Sequence, residues 1–83
     1  MDVRRIIGLN ARRYRLQAGL SQEAVAERMG VDRAYISGLE GGRRNPTVIT
    51  MWHLSVALQI PLPAFFERPE DDESIYRQVS LGA

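Results

Sequence analysis

Eighty-three residues with 45% hydrophobic and 25% charged content describe one small globular domain and exclude a disordered or fibrous chain. The absence of cysteine excludes a disulfide framework and a thiolate metal site, so packing alone must hold the fold, as suits a reducing compartment. The formal charge of +1 hides an asymmetry: residues 1–66 carry nine arginines against five acids, whereas residues 67–83 carry two against five. Every one of the eleven cations is arginine, whose planar fork binds phosphates and guanine edges better than a lysine ammonium does.

The apolar runs are far too short to span a bilayer, and the opening MDVRRIIGL lacks the apolar stretch of a signal peptide. A cytoplasmic location is therefore expected, with no membrane partner. From Val3 to Tyr14 the apolar residues Val3, Ile6, Ile7, Ala11 and Tyr14 recur at three- and four-residue steps, which predicts a first helix with Arg5, Arg12 and Arg13 on its opposite face. Gly19 is placed to end it, because glycine takes the left-handed conformation without steric cost. Ser21 then reads as the N-cap of a short second helix reaching Met29, with Glu23 complementing the dipole of its first turn.

Gly30 stops that helix, and Asp32 is placed to cap a third from Arg33 to about Glu40, across a three-residue turn. Gly41 and Gly42 break the third helix, and Arg43, Arg44, Asn45 and Pro46 form a basic loop leading to Thr47 as the next cap. Val48, Met51, Leu54, Ser55 and Leu58 mark the expected buried face of a fourth helix. Pro61 opens a last short helical turn anchored by Leu62, Phe65 and Phe66. From Glu67 the composition turns to ERPEDDES, which reads as a solvated acidic extension over 67–83, beyond a folded domain over 1–66.

Residues 19–46 carry the functional signal. Ala26 sits midway along helix 2, where only a small side chain lets a second helix cross closely. Gly30 supplies the positive φ of a tight turn, and Ile36 points inward to lock the two helices. Small, glycine and β-branched residues at those steps are the signature of a helix-turn-helix, whose second helix stands proud of the body for insertion into DNA.

The segment resembles the Xre family of bacterial regulators, which includes the phage repressors and Cro proteins, over roughly Ile7 to Phe66. The likeness lies in Gly19-Leu20-Ser21-Gln22, Ala26, Gly30, Tyr35-Ile36-Ser37, Leu39-Glu40, Asn45-Pro46 and the Leu62 to Phe66 closing turn. It implies an all-α, compact five-helix repressor-like domain with a helix-turn-helix, followed by the short acidic extension. It also implies a sequence-specific regulator that binds double-stranded DNA as a homodimer on an inverted repeat, and an ion pair between Arg15 and Glu40. Two positions depart from the family pattern: Gly38 stands where relatives often carry a long polar side chain, and Gln59 where they usually have glycine. Gly38 implies either a close approach of backbone to DNA or a weakened recognition helix.

Within that frame Arg33, first in the recognition helix, is placed to pair with guanine O6 and N7, Ala34 to meet a thymine methyl, and Ser37 to reach a base one turn on. Gln22 and Tyr35 are expected on phosphates, and so are Arg43, Arg44 and Asn45 of the loop. Ile49, Trp52 and Val56 form an outward apolar stripe on helix 4, the expected dimer interface; the alternative is that Trp52 packs under the C-terminal extension. No catalytic residue, metal site or cofactor is expected: the chain has a single histidine and no nucleophile paired with a base on one helix face. Two other functions fit the same frame. One is an antitoxin whose Ile75, Tyr76, Val79 and Leu81 bind a toxin protein, and the other a restriction-modification controller protein of about this size.

Overall fold

A computed structural model describes residues 2–68. These build four α-helices, α1 (Val3–Gln17), α2 (Gln22–Met29), α3 (Arg33–Glu40) and α4 (Val48–Leu58), and a closing 3-10 turn, Leu62–Phe66. The expected fifth helix is thus a single 3-10 turn. With proline at 61 and 63 the segment lacks the donors for an α-helical ladder, and its amides reach back three residues instead, Ala64 N to Pro61 O at 3.0 Å.

Local chemistry sets the boundaries. Asp2 caps α1 by accepting from the Arg4 amide at 2.8 Å, and the Arg4 side chain folds back onto the same carboxylate. Those hydrogen bonds hold the Asp2 carboxyl down to about 2. Ser21 Oγ accepts from Ala24 N and Thr47 Oγ1 from Thr50 N, both at 3.0 Å, so both expected caps form. Asp32 occupies the N-cap position of α3 without a side-chain cap bond, and the turn is closed by backbone alone, Tyr35 N to Asp32 O at 2.9 Å. Gln59 holds φ +56° at the end of α4, which explains the family's preference for glycine there. Below it, the Arg28 guanidinium donates to Ala57 O at 3.0 Å and so satisfies one of the carbonyls at that helix end.

The core gathers Ile7, Ala11, Val25, Ala26, Ile36, Leu39, Met51, Leu54, Ala57, Leu58 and Phe65, with Phe65 wholly buried. In three places the expected apolar face was drawn too wide. Val3, in the first turn of α1, is half exposed. Val48 is 70% exposed because it starts α4 before the helix reaches the core, and Phe66 is about half exposed because Phe65 takes the inward position of the 3-10 turn. Arg13 is the converse case. Expected on the solvent face of α1, it is buried, its guanidinium lying over the Tyr14 ring at 4.3 Å and donating to Glu67 Oε1 at 3.0 Å.

Glu67 also accepts from the Tyr14 hydroxyl, and its backbone carbonyl accepts from the buried Asn10 Nδ2 at 2.7 Å. Asn10 Nδ2 holds Phe65 O at the same distance, so one amide fastens the closing turn to α1. The α1–α3 crossing is closer still: a Cβ on Gly8 would lie 2.5 Å from Leu39 O and 2.6 Å from Glu40 O. Only glycine lets the two backbones meet there. Among the described residues no helix is long and apolar enough to cross a membrane. The acidic run Glu70 to Glu73 and the suggested toxin-binding residues Ile75, Tyr76, Val79 and Leu81 lie outside the described residues.

Candidate nucleic-acid interface

Helices α2 and α3 meet across Gly30, Val31 and Asp32, with Gly30 at φ +70° and Val31 N returning to Ala26 O at 3.0 Å. Ala26 is buried at the crossing, and Ile36 and Leu39, each 1% exposed, turn one face of α3 into the core. The three residues singled out from spacing thus do the fastening expected of them. A second clamp is electrostatic. Arg15 Nε meets Glu40 Oε2 at 2.6 Å and Nη2 meets Oε1 at 3.0 Å, a two-pronged pair in which both side chains are nearly buried. Arg15 Nη1 also donates to Leu20 O at 2.9 Å, so one side chain ties α1, the start of the motif and the end of α3 together.

The opposite face of α3 stays in water. Arg33 and Ala34 are exposed, Ser37 is half buried, and Arg33 makes no ion pair among the described residues. A glutamine amide carries two N–H donors, and Gln22, at the start of α2, spends one inward, Nε2 to Glu40 Oε1 at 3.2 Å. Arg43 and Asn45 are exposed in the loop after α3, and Arg43 Nη2 reaches Ser37 O at 3.4 Å.

Tyr35, Gly38 and Arg44, separate in sequence, form one unit. The Arg44 guanidinium lies 5.3 Å from the Tyr35 ring centroid, and a Cβ on Gly38 would sit 3.1 Å from Arg44 Nε and 3.2 Å from its Cγ. The structure adds a third reason for glycine at 38: the missing side chain makes room for an arginine delivered from the loop onto the recognition helix. Helix α4 presents a different surface. Ile49, Trp52 and Val56 are 67%, 58% and 59% exposed, while α4 packs through its other face on α2 and the 3-10 turn. Among the described residues no group of His, Cys, Asp or Glu is arranged to hold a metal ion.

Reasoning from sequence missed Arg12, which borders the notch between α1 and the helix-turn-helix, and Gly8, on which the α1–α3 crossing depends. The seven-residue step from Arg5 to Arg12 is the signal that placed both on one face; Gly8 left none.

Two short helices locked at a glycine turn, with an arginine-bearing face of the second held in solvent, define a helix-turn-helix DNA-binding module. Residues 12–65 match the helix-turn-helix family HTH_3, and the chain belongs to this Xre-like family of transcriptional regulators. It is 50% identical over 60 residues to the HTH-type transcriptional regulator y4dJ of Sinorhizobium fredii, covering 72% of this chain and 78% of that one. The restriction-modification controller protein C.AhdI from Aeromonas hydrophila has a similar crystal structure, with a TM-score of 0.73 at 36% identity, covering 76% of this chain and 96% of that one. The controller protein C.Esp1396I, crystallised as a tetramer with its natural 35 base-pair operator, matches with a TM-score of 0.71 at 25% identity, covering 96% and 97%.

Proposed function

We propose that this regulator binds double-stranded DNA as a homodimer on a short inverted repeat, with one α3 in the major groove of each half-site. The observation that carries this reading is the division of α3 into a face pinned by Ile36, Leu39 and Glu40 and a face where Arg33 stands exposed and without an ion-pair partner. Arg33 reads guanine through a two-pronged hydrogen bond, Ala34 meets a thymine methyl and Ser37 a neighbouring base. The free amide hydrogen of Gln22, the Tyr35 hydroxyl and the loop residues Arg43, Arg44 and Asn45 hold phosphates, which fix register without reading sequence. Ile49, Trp52 and Val56 pair with the same stripe on a second copy and set the recognition helices about one DNA turn, some 34 Å, apart.

Selection of bound fragments from random duplexes is the direct test, and an inverted repeat is the expected outcome. On that repeat Arg33→Ala relaxes preference at one base pair per half-site, by about 1–3 kcal/mol of discrimination. Arg43→Ala weakens all sequences alike and flattens the salt dependence. A uniform loss from Arg33→Ala removes it as a base reader.

A restriction-modification controller is the second reading, favoured by the likeness to C.AhdI over 96% of that protein's length. An operator that lies upstream of a neighbouring endonuclease gene supports it, and recovery of a toxin protein in a pulldown favours the antitoxin instead.

A further inference from the structure

Three of the five arginines of α1 are held in ion pairs. Arg4 is bound to Asp2, Arg13 to Glu67 and Arg15 to Glu40, and Arg5 lies against Gly42, where a Cβ would come 2.9 Å from its Cγ. Arg5 and Arg12 are both exposed and have no hydrogen-bond or ion-pair partner among the described residues; the two differ in what surrounds Arg12. Arg12 stands one turn before Arg15 and borders a notch between α1, the start of α2 and the end of α3, shared with Arg15, Gln22, Ser37, Glu40 and Arg43. Glu40, the acid in that lining, is already engaged by both prongs of Arg15 and by Gln22. Arg12 and Arg43 therefore leave the notch with uncompensated positive charge, beside the N-terminus of α2, whose dipole adds to it. Ser37 in the same wall belongs to the face proposed to meet bases, so a duplex seated on α3 brings its backbone across the opening.

We propose that the notch is an anion subsite for one DNA backbone phosphate, and that Arg12 of α1 is the residue that holds it, with Arg43 facing it from the loop. The inference rests on the DNA-binding reading and extends the contact surface from the helix-turn-helix and its loop to the first helix. A phosphate held there is fixed relative to Arg15 and Glu40, the pair that orients α3, so Arg12 sets the tilt of the recognition helix without reading a base.

The test is the salt dependence of binding to a random-sequence duplex, followed by fluorescence anisotropy, for the parent chain and for Arg12→Ala, Arg12→Lys and Arg4→Ala. Losing one phosphate contact lowers the slope of log K against log salt by about 0.9, so Arg12→Ala loses roughly three- to fourfold less affinity than the parent between about 50 and 200 mM salt. Arg12→Lys retains the parent slope, and Arg4→Ala, an equal loss of charge on the same helix away from the notch, retains it as well. An unchanged slope in Arg12→Ala while the parent binds overturns the inference and leaves the DNA-binding reading standing. So does an equal drop in Arg12→Ala and Arg4→Ala, which marks a bulk charge effect. A parent that ignores duplex DNA at low salt overturns both. Arg12 is exposed, so an unaltered thermal midpoint in Arg12→Ala separates lost contact from lost fold.

Discussion

Helices α3 and α4 solve the same packing problem and then part company. Each buries one face, α3 through Ile36 and Leu39, α4 through Met51, Leu54, Ala57 and Leu58. Beyond that face α3 carries Arg33, Ala34 and Ser37 with Arg44 laid across its middle, whereas α4 carries Val48, Ile49, Trp52 and Val56. Charge left in water costs little, and it becomes useful when a polyanion arrives and releases its counterions. An apolar outer stripe is disfavoured in water, and a helix that is apolar nearly all round is expected to be covered on more than one side. The inner faces make the domain; the outer faces assign α3 to nucleic acid and, on the proposed reading, α4 to a second copy.

The largest effect should come from removing what holds α3 in place. Glu40→Ala leaves the Arg15 guanidinium nearly buried without its carboxylate, at a cost of about 3 kcal/mol. In a domain of this size that lowers the thermal midpoint by more than about 10 °C. A midpoint that does not move shows α3 to be held by its apolar face alone. Next is the outer stripe of α4: Trp52→Glu shifts the sedimentation of the protein to that of a monomer and weakens operator binding about thirtyfold, while far-ultraviolet dichroism stays unchanged. A variant that remains dimeric places the interface elsewhere.

Gly38→Ala separates stability from binding. Alanine gains up to about 1 kcal/mol of helix propensity, but its Cβ presses on the Arg44 side chain, which must give by a few tenths of an ångström where it lies across the recognition helix. Duplex affinity should fall severalfold while the thermal midpoint holds or rises; a fall in both assigns Gly38 to the packing of the domain. The smallest effect is at Asp2, the exposed N-cap of α1. Its carboxyl is held at about 2, below the ordinary value of 3.8, so its contribution is present above that ordinary value and is lost as pH falls through about 2. The small difference in thermal midpoint between the parent and Asp2→Asn should therefore close over that same interval.

Much of this architecture was legible before any coordinates. The caps Ser21 and Thr47, the turn at Gly30 and the inward Ile36 all act within a turn or two of their own position, and each stands where its residue type predicts. The Arg15–Glu40 pair followed from resemblance to a family. What was misread depends on partners far along the chain. Arg13 looks solvated by its place on the helix, and its burial depends on Glu67, fifty-four residues later. Asp32 has the right chemistry for a cap, yet backbone alone closes its turn. Val48 and Phe66 have the right character for a core that lies just out of their reach.

Sequence by itself determined the four α-helices, their boundaries and the turn between α2 and α3, because capping, glycine conformation and apolar periodicity are settled by atoms a few residues apart. Tertiary structure alone decided which arginines are consumed and which remain free. Arg44 lies over Gly38 and Tyr35, Arg13 is drawn inward, and Arg12 is left bordering a notch that only the crossing of α1 with α3 creates. A guanidinium reaches as far as its flexible stem allows, and its surroundings are set by how helices cross rather than by its own neighbours in the chain.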